Sequence, residues 1–208
     1  MIRHSSFALA IAVVVTAVPV SGQGVQLALV GGPSWATYHA DFDTVDPRPF
    51  RSRLGRTGGA ALRLDLTPVW AVELGALYVE KGFNKDPNYW MQVDYLEAPV
   101  LVRARLPFLP GPVWPVLHAG VAPAREIRSR QAYTPMPSNG LFPSWLPNRS
   151  WDLAAAGGAG LAVERDRLRL LVEARYSRGL LDLYPNRLPG HVRNRTSSLL
   201  MNVAFPVF

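Results

Sequence analysis

LEAPVLVRARL, residues 96–106, has a wholly apolar set of side chains at every second position and all of its charged residues at the positions between. Its even positions, from Leu96 to Leu106, are all apolar, whereas the odd positions include Glu97, Arg103 and Arg105. Successive side chains of a β-strand point to opposite faces, so a period of two indicates a strand with one apolar face and one charged face.

Seven other segments have the same alternation, most clearly residues 70–81 and 168–177. The remaining five segments are residues 25–32, 58–66, 113–122, 151–164 and 196–208. In residues 151–164 the charged face carries alanine and glycine between Asp152 and Glu164, which suits a crowded lumen. Eight strands make the smallest common membrane barrel.

The connections between these segments alternate in length. Long polar connections span residues 33–56, 83–91, 125–150 and 178–195, and tight ones span residues 67–68, 107–112 and 165–167. Transmembrane barrels have long extracellular loops and short periplasmic turns. The pattern predicts an all-β fold, an eight-stranded antiparallel up-and-down transmembrane β-barrel with both termini on the periplasmic side.

A soluble sandwich or lipocalin-like barrel would also alternate along each strand. It would require the apolar face of residues 96–106 to point inward. The charged face is also where glycines and small residues gather, as expected of a packed polar lumen, and this favours the membrane barrel.

The N-terminus is typical of a secretory signal. A basic start with Arg3 precedes an apolar run over residues 7–18 and then small residues, so we expect residues 1–24 to be a signal peptide cleaved at a boundary within 22–24. Residues 25–208 would form one barrel domain. The chain has no cysteine, which excludes disulfides and thiolate metal sites.

Several short motifs in this order resemble a known family, the porin-like small outer-membrane β-barrel domain proteins similar in shape to OmpA and OmpX. The motifs are residues 31–32 (GG), 77–82 (LYVEKG), 94–101 (DYLEAPVL), 119–120 (AG), 157–160 (GGAG) and 173–176 (EARY). The resemblance covers the whole mature chain. It implies a Gram-negative cell-envelope protein located in the outer membrane.

The predicted lumen face carries a nearly balanced set of charges. Its members are Arg63, Asp65, Glu73, Glu97, Arg103, Arg105, Asp152, Glu164, Arg169, Glu173 and Arg175. An eight-stranded barrel is only wide enough for side chains to fill, so we expect a structural ion-pair network. The alternative is a narrow passive channel for ions or small solutes past Arg103 and Glu173.

The net charge of +7 is concentrated in the long outer connections. Arginine forks suit bidentate phosphate binding, so loop arginines are candidates for contacting lipopolysaccharide phosphates. These candidates are Arg51, Arg53, Arg128, Arg130, Arg193 and Arg195. The predicted role is structural or interactive, with outer-membrane lipids and lipopolysaccharide as partners.

Other partners follow from smaller features. Loop aromatics such as Tyr133, Phe142 and Trp145 suit contact with an extracellular macromolecule. The final Phe208 suits recognition by the barrel assembly machinery, although the apolar alternation that ends at Phe205 is out of phase with it. The sequence has no nucleic-acid-binding motif, so nucleic acid is not an expected partner.

Catalysis is the least favoured alternative. His118 falls on the lumen phase, and His39 lies near Ser34, Asp41 and Asp43, a cluster that could mimic the site of a lipid A-modifying barrel enzyme. No spacing connects these residues as nucleophile, base and acid. The expectation is therefore a non-enzymatic protein with no catalytic residues, metal or cofactor.

Overall fold

The computed structural model describes residues 24–40, 50–86, 89–106, 112–133, 149–165, 168–184 and 191–207. These residues form nine strands: β1 (Val25–Ala40), β2 (Arg51–Asp65), β3 (Trp70–Asp86), β4 (Tyr89–Glu97), β5 (Val100–Arg105), β6 (Val113–Tyr133), β7 (Trp151–Arg165), β8 (Leu168–Gly179) and β9 (Val192–Pro206). No helix in these ranges is long and apolar enough to cross a membrane.

The strands form a closed antiparallel ring. β1 pairs with β2 and β2 with β3, the strands from β6 to β9 pair in chain order, and β9 pairs back onto β1. Strands β4 and β5 share one place in the ring, because both pair with β3 on one side and with β6 on the other. The ring therefore has eight positions, and the predicted eight-stranded barrel is confirmed.

Pro99 explains why one predicted strand is observed as two. A proline has no N–H to donate to a strand ladder, and the regular pairing stops at Ala98 and Pro99. The wall stays closed because the Gly75 amide donates to the Pro99 carbonyl and the Ala98 amide donates to the Pro123 carbonyl, each over 2.8 Å. The alternation continues across the break, since Glu97 and Leu101 are both buried.

The barrel has its apolar residues on the outside. Leu96, at 53% exposure, is typical of an outward belt that runs around the wall. The belt includes Leu27, Leu29, Val100, Val102, Leu117, Leu161, Val172, Leu199 and Met201. Inward positions carry the charges together with small residues such as Ala154 and Ala156. The apolar face of residues 96–106 thus points outward, which contradicts the soluble alternative.

The long connections predicted from the sequence are shorter in the structure. β1 continues to Ala40 and β2 begins at Arg51, although residues 33–56 were expected to form a loop. β6 likewise continues to Tyr133. β3 continues to Asp86, and β4 already begins at Tyr89. Backbone pairing persists where the side chains turn polar, because the ladder needs only N–H and C=O groups.

Candidate functional site

The centre of the lumen is filled by two glutamates and two arginines. The Arg103 guanidinium donates from Nη1 to Glu173 Oε2 and from Nη2 to Glu73 Oε1, each over 2.7 Å. Arg175 Nη2 donates to Glu173 Oε1 over 2.7 Å. These four residues, from β3, β5 and β8, are the central layer. Their charges balance, and the short bonds are typical of charge-assisted pairs.

A second ionic group lies nearer the loop end. Lys81 Nζ is 3.0 Å from Glu97 Oε2 and 3.7 Å from Asp152 Oδ2. The Asn194 side-chain amide donates to Asp152 Oδ2 over 2.8 Å. Lys81 was absent from the predicted lumen set, although it shares the inward phase of Glu73 on the same strand. That phase was the signal that could have identified it.

Above this group, an aromatic plug fills the loop end of the lumen. The plug consists of Tyr38, Phe50, Phe83, Tyr89, Met91, Leu183 and Tyr184. Tyr38 and Phe83 pack with ring centroids 4.8 Å apart, and Phe50 and Phe83 with centroids 4.6 Å apart. Leu183 and Tyr184 belong to the β8–β9 connection, and both side chains pack into the barrel.

Asp182 holds that connection in place. Its Oδ1 accepts from the Val192 amide over 3.0 Å and from the Tyr184 amide over 3.1 Å. The His191 ring lies 3.5 Å from the other carboxylate oxygen. The contribution of Leu183 and Tyr184 to the plug was not predicted, because an apolar pair within a polar connection has no period to reveal it.

The remaining predicted lumen charges lie at the turn end. Arg63, Asp65, Arg105, Glu164 and Arg169 surround this opening, which we call the turn-side mouth. The separations of their paired atoms run from 3.2 Å for Arg169 and Glu164 to 3.7 Å for Arg63 and Asp65. All eleven predicted residues therefore face the lumen, in three groups separated along its axis.

A polar patch lies on the outside of the barrel, where β2, β3, β4 and β6 approach their loop ends. Arg53 Nη2 donates to Gln92 Oε1 over 2.6 Å, and Gln92 Nε2 donates to Asp94 Oδ1 over 2.7 Å. Arg130 Nη2 lies 3.5 Å from Asp94 Oδ2. Gln92 and Asp94 are buried although they face outward.

Further charges line the same patch. Glu80 on β3 is directly opposite Asp94 on β4 in the strand register. The Glu80 Oε1 atom lies 4.0 Å from Arg56 Nε. Arg128 is opposite Asp94 across β4 and β6. An open cavity of about 730 Å³, the outer groove, is bounded by Pro33, Arg53, Leu54, Gly55, Arg56, Glu80, Gln92 and Arg130.

The six arginines predicted in loops lie in strands instead. Arg51 and Arg53 begin β2, Arg128 and Arg130 are near the end of β6, and Arg193 and Arg195 begin β9. They lie in strands because β2, β6 and β9 extend further towards the loop end than the sequence pattern predicted. Arg53 and Arg130 meet through Gln92 and Asp94, whereas Arg193 and Arg195 lie opposite His39 and Thr37 of β1, outside the groove.

Two local irregularities shape the outer groove. The β2–β3 register shifts between Ser52 and Thr57, and the β4–β6 register shifts between Asp94 and Tyr95. Bulges of this kind bend a strand and redirect its side chains. Arg53 lies within the first shift, and its guanidinium is 5.7 Å from the centre of the Trp90 ring.

The histidines do not form a nucleophile–base–acid arrangement in the described ranges. His118 Nδ1 is 3.4 Å from Glu173 Oε2, but neither ring nitrogen has a hydrogen-bond partner among these residues. Ser34 is buried and donates to the Glu80 carbonyl over 3.3 Å. His39 is on the opposite phase of β1 from Ser34, because the two positions differ by an odd number of residues.

Some expectations fall on other parts of the chain. The residues that lie outside the described ranges are 1–23 of the predicted signal (residues 1–24), Asp41, Asp43, Phe142, Trp145 and Phe208. Tyr133 ends β6. No group of three potential metal ligands occurs among the residues that the structure describes.

Comparisons with known structures show the same fold at low sequence identity. The crystal structure of Neisserial surface protein A is 14% identical, with 88% of this chain and 98% of that chain covered and a TM-score of 0.50. The outer membrane protein OprG from Pseudomonas aeruginosa is 13% identical, with coverages of 88% and 96% and a TM-score of 0.54.

A third similar structure is the outer membrane enzyme PagL, at 11% identity, with 88% of this chain and 99% of that chain covered and a TM-score of 0.45. No curated protein sequence matches the chain. The model of the outer membrane protein beta-barrel domain matches residues 22–184, more than half of the chain. The apolar outer belt, the closed ring and this match agree, and the chain belongs to the outer membrane protein β-barrel domain family, whose place is the outer membrane.

Proposed function

We propose that this chain is a non-enzymatic outer-membrane barrel whose outer groove binds lipopolysaccharide phosphates. The observation that carries the proposal is the cluster of Arg53, Arg56 and Arg130 on the lipid-facing side of the wall, at the loop end. Loops of such barrels are extracellular, and the outer leaflet there presents phosphate groups.

The groove has the charge and accessibility that phosphate binding needs. Arg56 is 86% exposed and Arg130 is 49% exposed, so both guanidinium groups can reach a ligand. With Arg128 the cluster has four arginines against two carboxylates, those of Glu80 and Asp94. Arginine binds phosphate oxygens through two parallel N–H donors, which a lysine cannot do.

The buried partners fix the direction of the arginines. Gln92 and Asp94 hold Arg53 and Arg130 from beneath, and Trp90 lies beside Arg53 at the level where aromatic residues commonly meet the interface. A preorganised guanidinium loses less freedom on binding than a free one. The groove is therefore suited to a lipid headgroup held against the wall.

The test is binding of purified lipid A to the barrel refolded in detergent micelles. We expect diphosphoryl lipid A to bind more tightly than monophosphoryl lipid A in isothermal titration calorimetry. The double variant Arg53→Gln/Arg130→Gln should bind diphosphoryl lipid A at least about tenfold more weakly, since a hydrogen bond to a charged group contributes roughly 1.5–3 kcal/mol.

The control is Arg165→Gln, which removes one positive charge, as each change of the double variant does, from an exposed position at the turn end of β7. It should leave lipid A affinity unchanged. Equal affinity for the two forms of lipid A, or equal weakening by Arg165→Gln, would refute the proposal.

A further inference from the structure

The turn-side mouth contains a cavity of about 200 Å³. One water needs roughly 10–15 Å³ on the same kind of measure, so the cavity accepts a molecule larger than water. Its polar lining comes mainly from Arg63, Asp65, Arg105, Trp114 and Arg169, with Arg103 at its floor. This cavity is at the opposite end of the barrel from the outer groove.

The charges around the mouth are loosely paired, unlike those of the central layer. Arg105 Nη2 is 3.4 Å from Glu164 Oε2, and Arg169 Nη1 is 3.6 Å from Asp65 Oδ1. Charge-assisted pairs typically measure about 2.7–2.9 Å, as Arg103 shows with Glu173. The mouth arginines therefore keep donor capacity for another acceptor.

Two buried donors at the cavity have no partner in the described part of the chain. Arg63 is 6% exposed, and its Nε donates to nothing there, since the nearest carboxylate oxygen, on Asp65, is 3.7 Å away. The Trp114 indole Nε1 is likewise buried without an acceptor. Buried donors in native proteins are nearly always satisfied, so an acceptor bound in the cavity would stabilise these two.

Trp114 is held in a defined orientation. The Arg105 guanidinium carbon lies 3.5 Å from the centre of the Trp114 ring, a stacked cation–π contact. That contact fixes the ring, which lines the cavity and whose Nε1 has no acceptor among the described residues. An anion in the cavity would find a fixed indole donor and the surrounding guanidinium groups.

We propose that the turn-side mouth binds a small oxyanion, the carboxylate or phosphate group of a periplasmic solute. The donors are Arg63, the Trp114 indole N–H, and the free N–H groups of Arg105 and Arg169. Three mouth arginines against Asp65 and Glu164 leave one positive charge for the ligand to neutralise. The central layer beneath has balanced charges, so the anion stops at the mouth.

The experiment follows the Trp114 indole N–H resonance of the ¹⁵N-labelled full barrel, refolded in detergent micelles. Inorganic phosphate and succinate are titrated separately, with chloride keeping the ionic strength constant. We expect a saturable shift with at least one of the two probes. Saturation by phosphate alone or by succinate alone supports the site and identifies the oxyanion.

Three variants complete the test. Trp114→Phe assigns the resonance and, by calorimetry, should bind the effective probe about tenfold more weakly. Arg63→Gln should weaken binding at least tenfold, while Arg178→Gln, an exposed arginine near the loop end of β8, should leave it unchanged. If Arg63→Gln does not refold, as judged by gel mobility before and after boiling, Trp114→Phe alone decides.

A linear shift with either probe, or no shift with both, would overturn the proposal. So would equal weakening by Arg178→Gln and Trp114→Phe, because the effect would then be one of general charge or stability.

Discussion

Arg103 and Glu173 lie 70 positions apart in the chain, yet their side chains meet at 2.7 Å in the middle of the lumen. Both are almost completely buried. Removing one partner of a buried pair typically destabilises a protein by about 3–5 kcal/mol, because the other charge is left uncompensated. Arg103→Met should therefore lower the free energy of unfolding by that amount in urea titrations of the refolded barrel.

The control for this change is Arg178→Met, an exposed arginine on β8. Its effect should stay within about 0.5 kcal/mol, as for most surface positions. Equal stability of Arg103→Met and the wild type would mean that water already solvates the central layer.

Gly82 has a backbone conformation that residues with side chains rarely adopt. Its φ is +129°, and a Cβ there would meet the Met91 carbonyl oxygen of the neighbouring strand. Gly82→Ala should cost at least about 1–3 kcal/mol, as strained backbone does. Chemical unfolding measures the difference, with Gly31→Ala as control, because a Cβ at Gly31 would have its nearest neighbour at an ordinary 3.8 Å. Similar losses in both variants would contradict this explanation.

Acid should loosen the aromatic plug before it unfolds the barrel. Partial burial raises the pKa of Asp182, but the amides of Val192 and Tyr184 and the His191 ring outweigh it, so the pKa lies below its usual value. A carboxyl whose pKa is depressed by folding stabilises the fold above its unfolded pKa, near pH 4, and this contribution disappears as the pH falls through the folded pKa.

Hydrogen exchange at Tyr184 and Val192, corrected for the intrinsic pH effect, should accelerate as the pH falls below about 4. In Asp182→Asn, exchange there should be fast at every pH, with the exchange of β7 unchanged. Acid acceleration of the same size in that variant would show that another group is responsible.

Conductance should be absent from the wild-type barrel. The aromatic plug and the central layer block the lumen at two different levels, so removing one of these obstructions leaves the other in place. We expect no unitary current in planar bilayers from the wild type or from Leu183→Ala/Tyr184→Ala. A steady current from the wild type would instead support the passive-channel alternative.

The period of two predicted the strand faces well, because a barrel wall places alternate residues in lipid and in the lumen. Leu96 and Val100 point out and Glu97 and Arg103 point in, as the alternation indicated. The alternation also survives Pro99, because hydrogen bonds from residues on both sides keep the phase.

The outer strand ends could not be predicted in the same way. Above the apolar belt the outer face becomes polar, so Arg53 and Arg130 look like loop residues although their backbones remain paired. The bulges that bring them towards Gln92 and Asp94 leave no compositional mark. The burial of Tyr184 was not predicted, because it lies beyond the end of β8, where no strand alternation indicates which side chains point inward.

The pairing of β1 with β9 has a consequence for the order of assembly. Gln26 is opposite Pro206, and Ala40 is opposite Val192, so β1 can pair with β9 only after the whole chain between them has been synthesised. Until then both strands are open edges that could pair with other chains. Closing so large a loop is entropically costly and slow, so the joining of β1 to β9 is expected to be the last step of folding. A chaperone therefore matters most in the period before β1 and β9 join.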